Sequence, residues 1–539
     1  MKLNKIIYFA LSAITLVSCD DVDEMAPDGG VLTAEQIQQS ISLVASRGEA
    51  TFSGMFSMMG KPYYSISGST RADDFGFVMM AISQDCEASD YNYPNSGYNW
   101  FSVCGELSSR NPDYANPRIR YIMPYSQIGV ANEIIKTYAV ATDSAGINYL
   151  AQAHAIRAFD YLSLAPYFQY RYEDSKDMPC VPIVTEETTD FTNNPRASVA
   201  DVYDLILSDL NFAIENLTSY RSDKSKININ VAYGLRARAY LNMGMYAEAA
   251  ADAEKAIGNY EPASISEVSV PSFYNIADHN WIWGIDITSD MALSGPYATS
   301  CSWLSSFSAN GYAASCACYA SISNLLYDKI PSTDVRKGWW LDENLHSDLL
   351  TTCSWGNATG DNIATLQIDD VKEPMYAYVN VKFGMMSGIG SEINDNDFPL
   401  MRVEEMILVA AEGYAKSGNE AKAKELLINF VSKYRDPQYT IPSSRSLADE
   451  IWFQRRVELW GEGFAMSDIM RLKKPIVRFH DTSASIDAQF RFNVAPDDPW
   501  LLMRFPTREV NANLGIVNNS GGTVPKQDQN PDLRDGVTD

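Results

Sequence analysis

A pattern of small and aromatic residues occurs twice, far apart in the chain, and it strongly restricts the possible fold. The first copy, VAYGLRARAYLNMGMYAEAAADAEKAI, covers residues 231–257. Alanine recurs there at helical spacing on both sides of Gly244. The second copy begins near Ala411 and repeats the same order, so that each copy places a glycine four residues after a tyrosine, Tyr240–Gly244 and Tyr414–Gly418. Helical periodicity interrupted by glycine predicts two closely packed helices joined by a tight turn.

Each copy resembles a tetratricopeptide unit, and further helices are predicted around both copies. Amphipathic patterns predict helices at 149–168 and 198–217, with Ser198 as the N-cap of the second, and a charged helical pair at 447–472. We expect the charges of that pair to cross-link helices. The fold class expected is all-α dominated, a tetratricopeptide-like scaffold of helix pairs at about 118–260 and 398–475.

Two long stretches of irregular sequence separate these helical regions. They cover about 60–117 and 262–397, and they are rich in Gly, Ser, Asn, Tyr and Trp. We call them the first and second loop-rich regions. Because structureless loops of this length are rare in compact domains unless they serve a function, we expect the two regions to form the ligand-binding side.

The N-terminal segment has the features of an export signal and a lipid anchor. Lys2 and Lys5 precede a short apolar run, and Leu16–Cys19 resembles a bacterial lipobox. We therefore expect residues 1–18 to be a signal peptide, Cys19 to carry acyl chains, 19–32 to be an acidic tether, and 33–539 to be a single domain. Removing two lysines with the signal peptide changes the net charge from -26 to 40 minus 68, or -28.

Charge and motif content argue against several function classes. A net charge of -26 disfavours nucleic-acid binding, which requires Lys and Arg to neutralise phosphates. The four histidines are scattered without metal-ligand spacing and are expected to be structural or solvent-facing, and no G-x-S-x-G motif occurs. We therefore expect no enzyme activity, catalytic residue, cofactor or metal. A calcium ion at Asp395 and Asp397 and a zinc site at Cys316 and Cys318 are weak alternatives to solvated carboxylates and buried thiols.

Candidate ligand-binding residues come from aromatic and polar side chains in the loop-rich regions. Sugar binding requires aromatic faces that stack on a pyranose and polar groups that bond its hydroxyls. Trp281 and Trp283 alternate like a strand and are expected to be core, whereas Trp339 and Trp340 fit either role. The favoured residues lie among turn-forming residues, and they are Tyr91, Tyr93, Tyr98, Trp100, Tyr297, Trp303, Arg71 and Asp73.

Several motifs together resemble the SusD/RagB family, and the resemblance covers essentially the whole mature chain. The departures from the family pattern are Phe505-Pro506-Thr507 in place of a Pro-Ile-Pro phrase, Gln454 where Glu is usual, and Ala465 where a basic residue is common. The motifs, besides the lipobox and the tetratricopeptide pair, are IRAFDYLSLAPYF at 156–168, RASVADVYDLILSDLNFAI at 196–214, RRVELWGEG at 455–463 and RFPTREVNAN at 504–513.

The resemblance implies a function as well as a fold. Members of this family are lipid-anchored in the outer membrane and face the cell exterior. There they bind oligosaccharide or polysaccharide without cleaving it and deliver it to a SusC-like TonB-dependent transporter, with ligand contacts from the two loop-rich regions. Two alternatives remain: a peptide-binding member of the same family, and a tetratricopeptide interaction scaffold without its own small ligand.

Overall fold

The structure is a computed structural model that describes most of the chain. The chain divides into two units, Met1–Ser53 and Gly54–Asp539. The residues described are 45–61, 76–93, 99–288, 291, 319–349, 354–355, 358–359, 376–384, 386 and 396–539.

Helices dominate the described residues, as the sequence predicts. In chain order they are α1 (Ala45–Ser57), α2 (Gly76–Glu87), α3 (Asn99–Gly105), α4 (Ala115–Tyr138), α5 (Ser144–Phe168), α6 (Tyr172–Ser175), α7 (Val199–Asn216), α8 (Ile229–Asn242), α9 (Tyr246–Ile257), α10 (Ile265–Val268), α11 (Asn324–Tyr327), α12 (Val403–Lys416), α13 (Glu420–Tyr434), α14 (Leu447–Glu458), α15 (Ala465–Leu472) and α16 (Thr507–Ala512).

The strands are short and pair in twos, always antiparallel, within the described ranges. The pairs are β1 with β5, β2 with β3, β4 with β8 and β6 with β7. The strands are β1 (Tyr91–Asn92), β2 (Pro179–Pro182), β3 (Arg196–Ser198), β4 (Trp281–Ile285), β5 (Ser321–Ile322), β6 (Ser354–Trp355), β7 (Ala358–Thr359) and β8 (Phe398–Arg402).

The predicted helix-pair scaffold is confirmed. Helix α4 packs on α5, α5 on α7, and α8 on both α7 and α9. Helix α9 in turn packs on α12, and α12 on α13 and α14. The two repeat copies, α8–α9 and α12–α13, are therefore neighbours although a long stretch of chain separates them. Each pair buries its apolar face against the next, which is how tetratricopeptide-like repeats build a continuous core.

The turn of each repeat copy has the geometry that the tyrosine–glycine spacing predicts. Gly244 and Gly418 have φ angles of 76° and 90°, in the left-handed region that favours glycine. The amide after each glycine donates to the carbonyl of the tyrosine, Tyr240 in the first copy at 2.9 Å and Tyr414 in the second at 2.8 Å. The shared motif therefore encodes one helix stop, used twice.

A glycine also permits the close contact between the two copies. A Cβ atom on Gly413 of α12 would lie 2.5 Å from the backbone oxygen of Tyr246, the first residue of α9. No side chain fits there without moving one helix. The small residues of the pattern therefore determine how closely the copies stack.

Two further predicted helices are confirmed within a few residues. The predicted helix 149–168 is α5, which begins earlier because Asp143 caps it through the Gly146 amide at 2.9 Å. The predicted helix 198–217 is α7. Ser198 is its N-cap, and the Ser198 hydroxyl accepts the Asp201 amide at 3.0 Å while the Asp201 carboxylate bonds back, a capping box.

The first loop-rich region contains more structure than its composition indicates. Helix α2 lies inside it and is buried over most of its length, as are most residues of β1 and their neighbours. A helix that is buried on most sides lacks the one-sided apolar pattern by which exposed helices are recognised. Arg478 is fully buried beside the C-terminal end of α2, and its guanidinium donates to the carbonyls of Cys86, Glu87 and Ala88. Burial without a carboxylate partner lowers the pKa of Arg478 to about 9.

The charges of the predicted 447–472 pair do cross-link helices. Arg471 of α15 pairs with Glu412 of α12 at 2.6 Å, and Arg455 of α14 pairs with Asp468 of α15 at 2.9 Å. The largest such network, the Glu458 cluster, surrounds the last residue of α14. Its cations and anions balance and are almost fully buried: Arg336, Lys382, Arg402, Arg435, Asp334, Glu404, Glu458 and Glu462.

Within the described residues there is neither a helix long and apolar enough to cross a membrane nor a disulfide. Cys86, Cys104 and Cys180 are buried, and burial raises the pKa of the Cys180 thiol to about 12. The expectation of buried thiols is confirmed for these three. The other cysteines of the mature chain lie outside the described residues: Cys19, Cys301, Cys316, Cys318 and Cys353.

Candidate functional site

The two loop-rich regions meet in one backbone ladder. Strand β1 of the first region pairs with β5 of the second, with Tyr91 opposite Ile322. Ile322 donates its amide to the Tyr378 carbonyl at 3.0 Å, and Leu341 donates to the Val379 carbonyl at 2.9 Å. The ladder therefore joins four segments of the chain, which are β1, β5, the residues next to Leu341 and residues 378–381. The described segments of the two loop-rich regions therefore lie side by side.

A cavity of about 390 Å³ lies beside this ladder, which we call the Trp340 cavity. Its volume lies within the range of small-ligand pockets, about 300–1,000 Å³. Hydroxyl, carboxylate, imidazole and aromatic groups all contribute to its wall. The lining residues are Ser269, Tyr327, Ser332, Thr333, Asp334, Val335, Lys337, Gly338, Trp340, Asp342, His346, Ser347, Asp348 and Leu349.

A tight turn carries the accessible polar groups of the cavity. The Asp342 carboxylate accepts the amides of Asn344 at 2.8 Å and of His346 at 2.9 Å. Leu345 within the turn has a φ angle of 64°, a strained conformation for a branched residue that is concentrated at functional sites. The side chains of His346 and Asp348 are 44% and 92% exposed. The turn therefore holds an imidazole and a carboxylate at the cavity mouth.

Buried rings support the cavity from behind. Trp340 packs edge-on against Trp460, with ring centroids 5.5 Å apart, and Trp460 stacks on Tyr91 at 4.6 Å with an interplanar angle of 24°. Trp340 is fully buried. It therefore forms the floor of the cavity and presents little ring face to a ligand.

Lys337 and Tyr327 form another part of the wall. The Lys337 ammonium lies 4.6 Å from the Tyr327 ring centroid and donates to the Ile330 carbonyl at 2.8 Å. Partial burial lowers the pKa of Lys337, and burial raises that of Tyr327. Tyr378, whose φ angle is 68°, packs on Tyr327 at 5.2 Å. The wall is thus fixed by packing before any ligand arrives.

The predicted ligand residues divide into buried ones and ones outside the described residues. Tyr91 and Tyr93 are 6% and 3% exposed, Tyr91 on Trp460 and Tyr93 near Phe101. Their rings pack in the interior and offer no face to a ligand, because β1 is an internal strand rather than a loop. Trp100 lies in α3, and its side chain is outside the described residues. Also outside are Tyr98, Tyr297, Trp303, Arg71 and Asp73.

Several other expectations are tested directly. Trp281 and Trp283 lie in β4 and are fully buried, as predicted, and Trp339 and Trp340 also prove to be core residues. Asp397, one of the two residues of the weak calcium alternative, accepts the amides of Ile276 and Ile287 at 2.8 and 2.9 Å, a structural role. Asp395 lies outside the described residues.

The histidines fit the expectation of structural or solvent-facing roles. His154 contacts Asp209 at 2.6 Å, and His279 contacts Glu267 at 3.0 Å on the surface. Among the described residues no group of three or more His, Cys, Asp or Glu side chains is placed to hold a metal ion.

Sequence reasoning missed most of the Trp340 cavity. No motif contains Tyr327, Lys337, Asp342 or His346. Trp340, with its neighbour Trp339, was considered as either a core or a ligand-contacting residue. The turn after Trp340 had a local signal, because Asp followed by Glu and Asn is typical of a side-chain-stabilised turn. That this turn borders a cavity depends on contacts with segments that lie far away in the chain.

Two family profiles match separate parts of the chain. One, described as "SusD family", matches residues 352–521, and one described as "Starch-binding associating with outer membrane" matches residues 78–241. A relative named "SusD-like protein P2" from Formosa agariphila is 24% identical over 429 residues, which cover 74% of this chain and 79% of that protein.

Solved structures show the same fold. A SusD-like carbohydrate-binding protein from Bacteroides vulgatus matches with a TM-score of 0.70 at 22% identity, covering 89% of this chain and 98% of that one. A SusD superfamily protein from Bacteroides thetaiotaomicron matches with a TM-score of 0.66 at 20% identity, covering 88% and 99%. The chain therefore has the fold of these SusD-like proteins, and two separate parts of it match the profiles described as "SusD family" and "Starch-binding associating with outer membrane".

Proposed function

We propose that this protein binds an oligosaccharide or polysaccharide at the cell surface without cleaving it, and delivers it to a SusC-like TonB-dependent transporter in the outer membrane. The observation that carries the proposal is the Trp340 cavity, because it lies where the two loop-rich regions join and its wall is fixed by buried rings. The match of residues 78–241 to the profile described as "Starch-binding associating with outer membrane" supports the same cargo class.

The groups at the cavity suit a neutral sugar. Ser332 and Thr333 offer hydroxyls, and His346 and Asp348 offer a ring nitrogen and a carboxylate that bond sugar hydroxyls. Sugar sites also need ring faces, which the buried rings of the floor do not present. We propose that the stacking faces come from the loop-rich regions, from Tyr98, Trp100, Tyr297 and Trp303, with Arg71 and Asp73 as polar neighbours.

We further propose that Cys19 anchors the protein to the outer membrane so that it faces the exterior. Acylation at two or more positions gives durable membrane attachment, since each buried methylene contributes about 0.8 kcal/mol. In cells fed radiolabelled palmitate, Cys19→Ala should abolish label in the protein and move the protein from the membrane pellet to the soluble fraction. Label that persists in Cys19→Ala would contradict the anchor, and Cys180→Ala, which removes a buried thiol, is the matched control.

The glycan proposal is tested by affinity electrophoresis of the purified protein against plant, host and microbial polysaccharides. For the polysaccharide that retards the protein, the double variant His346→Ala/Asp348→Ala should bind about tenfold more weakly or worse, because two polar contacts worth about 1 kcal/mol each are lost. His279→Ala is the matched control, since His279 is equally exposed and does not line the cavity.

Two outcomes would contradict parts of this proposal. Unchanged retention in the double variant would exclude the Trp340 cavity as a contact, and the Trp100→Ala and Trp303→Ala variants then test the loops alone. Retention that survives all of these changes would reject the proposed glycan site. A folded protein that no polysaccharide retards would favour peptide cargo, or a scaffold role seen only in complex with the transporter.

A further inference from the structure

A second cavity, of about 550 Å³, shares no lining residue with the Trp340 cavity. We call it the Glu509 cavity. It lies between one face of α4, the segment 182–194 that follows β2, and α16. The lining residues that matter for its chemistry are Tyr121, Tyr125, Lys136, Glu186, Phe191 and Glu509.

The Glu509 carboxyl group is half-buried in this cavity without a cation. The Tyr121 hydroxyl and the Asn513 side chain favour its charged form and so lower its pKa, but less than burial raises it. Among the described residues no Lys or Arg forms an ion pair with it. Partial burial raises the pKa of Glu509, which means that its charged form is poorly solvated. A bound cation would compensate this cost.

Aromatic rings surround the carboxylate. Tyr121 and Tyr125 pack with ring centroids 4.5 Å apart, and the Tyr125 hydroxyl donates to the Pro182 carbonyl at 2.5 Å. Because that hydroxyl is already used, a ligand in the cavity meets the ring of Tyr125. Phe191 lies at the mouth and is 57% exposed. Ring faces attract organic cations, with about 0.5–2 kcal/mol for each contact.

Three other charged residues line the cavity. Glu186 forms an ion pair with Arg157 at 2.5 Å, and Arg157 also pairs with Asp209 at 2.8 Å. Glu133 and Lys136 are exposed residues of α4 at the rim. Lys136 therefore adds the one positive charge of the lining, and it would repel a cationic ligand.

We propose that the Glu509 cavity binds a primary ammonium group, with the Glu509 carboxylate as its counter-ion and the rings of Tyr125 and Phe191 as its apolar neighbours. Two sources carry this group on a small body: a glucosamine-type oligosaccharide and the lysine side chain of a short peptide. The site does not depend on the glycan-binding role proposed for the Trp340 cavity.

Isothermal titration of the purified protein tests the proposal with matched probes. The glucosamine trisaccharide is compared with its N-acetylated form, and a blocked Ala-Lys-Ala peptide with the same peptide acetylated on its lysine. We expect at least one amine to bind at least about tenfold more tightly than its acetylated partner, since a charge-assisted hydrogen bond is lost on acetylation. Selective binding of the sugar or of the peptide identifies the source, and either supports the site.

Variants separate this site from the general acidity of the protein. Glu509→Gln, which keeps the volume of the side chain and removes its charge, should weaken amine binding at least about tenfold. Lys136→Met, an exposed change, should tighten it about twofold, and Phe191→Ser should weaken it about twofold. If amines bind no better than their acetylated partners, or if Glu509→Gln and Lys136→Met both leave the amine affinity unchanged, the site is overturned.

Discussion

Replacing Glu458 by Gln should lower the free energy of unfolding by about 3–5 kcal/mol, because it removes one charge from a buried and balanced network. The Glu458 carboxylate accepts two hydrogen bonds from Arg435, each 2.8 Å long, and one from Arg402 at 3.1 Å. All three side chains are at most 1% exposed. The variant keeps the volume of the side chain but leaves the three guanidinium groups that contact Glu458, those of Arg336, Arg402 and Arg435, buried with one anion fewer.

The same cluster predicts a response to acid. Its arginines hold the pKa of Glu458 well below the ordinary value of 4.5. A carboxyl group with a lowered folded pKa contributes stability that is present above its unfolded pKa and is lost as the pH falls through the folded pKa. Wild type should therefore lose part of its advantage over Glu458→Gln below pH 4.5, and urea unfolding at pH 7, 5 and 3 measures this difference.

The matched control is Glu425→Gln on α13. Glu425 is 57% exposed and pairs with Lys422 at 3.3 Å, so its loss should change the free energy of unfolding by less than about 1 kcal/mol. Both variants should keep the wild-type dependence on urea concentration, because neither changes the surface exposed on unfolding. A Glu458→Gln protein as stable as Glu425→Gln would show that the cluster does not hold the helices together.

The cluster also connects the scaffold to the proposed ligand side. Arg336 donates to Asp334 and to Gln454 of α14, and it precedes Trp339 and Trp340 on the same turn. Lys382, whose pKa burial lowers to about 8, bonds the carbonyls of Glu458 and Trp460. The segments that form the floor of the Trp340 cavity are therefore fixed to α14 of the helical scaffold.

Local signals in the sequence predicted much of the helical scaffold. The capping serine of α7, the tyrosine–glycine turns and the alternating Trp281 and Trp283 each act over a few residues, so one sequence suffices to find them. Family resemblance added the order of the motifs. Even Gln454, noted as a departure from the family, proved to be a buried partner of Arg336.

Long-range contacts could not be predicted in this way. Arg478 binds carbonyls some 390 positions earlier in the chain, and Tyr91 stacks on Trp460, which lies at a similar separation in the sequence. An arginine or a tyrosine in isolation gives no sign of such a partner. Tyr91 was predicted as a ligand contact because its surrounding Asn, Ser and Gly residues indicated a loop, whereas tertiary contacts bury its side chain.

Replacing Asp160 is the second change for which we expect a large effect on stability. Asp160 lies in α5, is fully buried, and neither carboxyl oxygen has a hydrogen-bond partner among the described residues. Burial raises the pKa of Asp160 well above its ordinary value of 3.8. The folded state therefore keeps a proton that the unfolded chain releases above pH 3.8. Below that pH the group does not reduce the free energy of unfolding, and above it the free energy of unfolding falls as the pH rises.

Asp160→Asn should therefore be more stable than wild type, and increasingly so at higher pH. The slope of the difference is about 1.4 kcal/mol per pH unit from pH 3.8 up to the raised pKa, because folding of wild type then requires uptake of one proton. Urea unfolding of both proteins at pH 5, 6 and 7 measures this slope. A constant difference over that range would show that Asp160 is ionised in the folded protein.

Asp85→Asn is the informative comparison, because Asp85 is also buried and its pKa is raised to about 7, yet its carboxylate is satisfied. Its two oxygens accept the amides of Gly463 at 2.9 Å and Ala465 at 3.0 Å. An asparagine has one acceptor oxygen, so one amide would lose its partner at a cost of about 1–3 kcal/mol. Because the raised pKa of Asp85 also costs wild-type stability up to about pH 7, the lost hydrogen bond opposes a gain on substitution. A smaller gain for Asp85→Asn than for Asp160→Asn at pH 7 would show that hydrogen-bond satisfaction, as well as burial, decides how much an internal carboxyl group destabilises this fold.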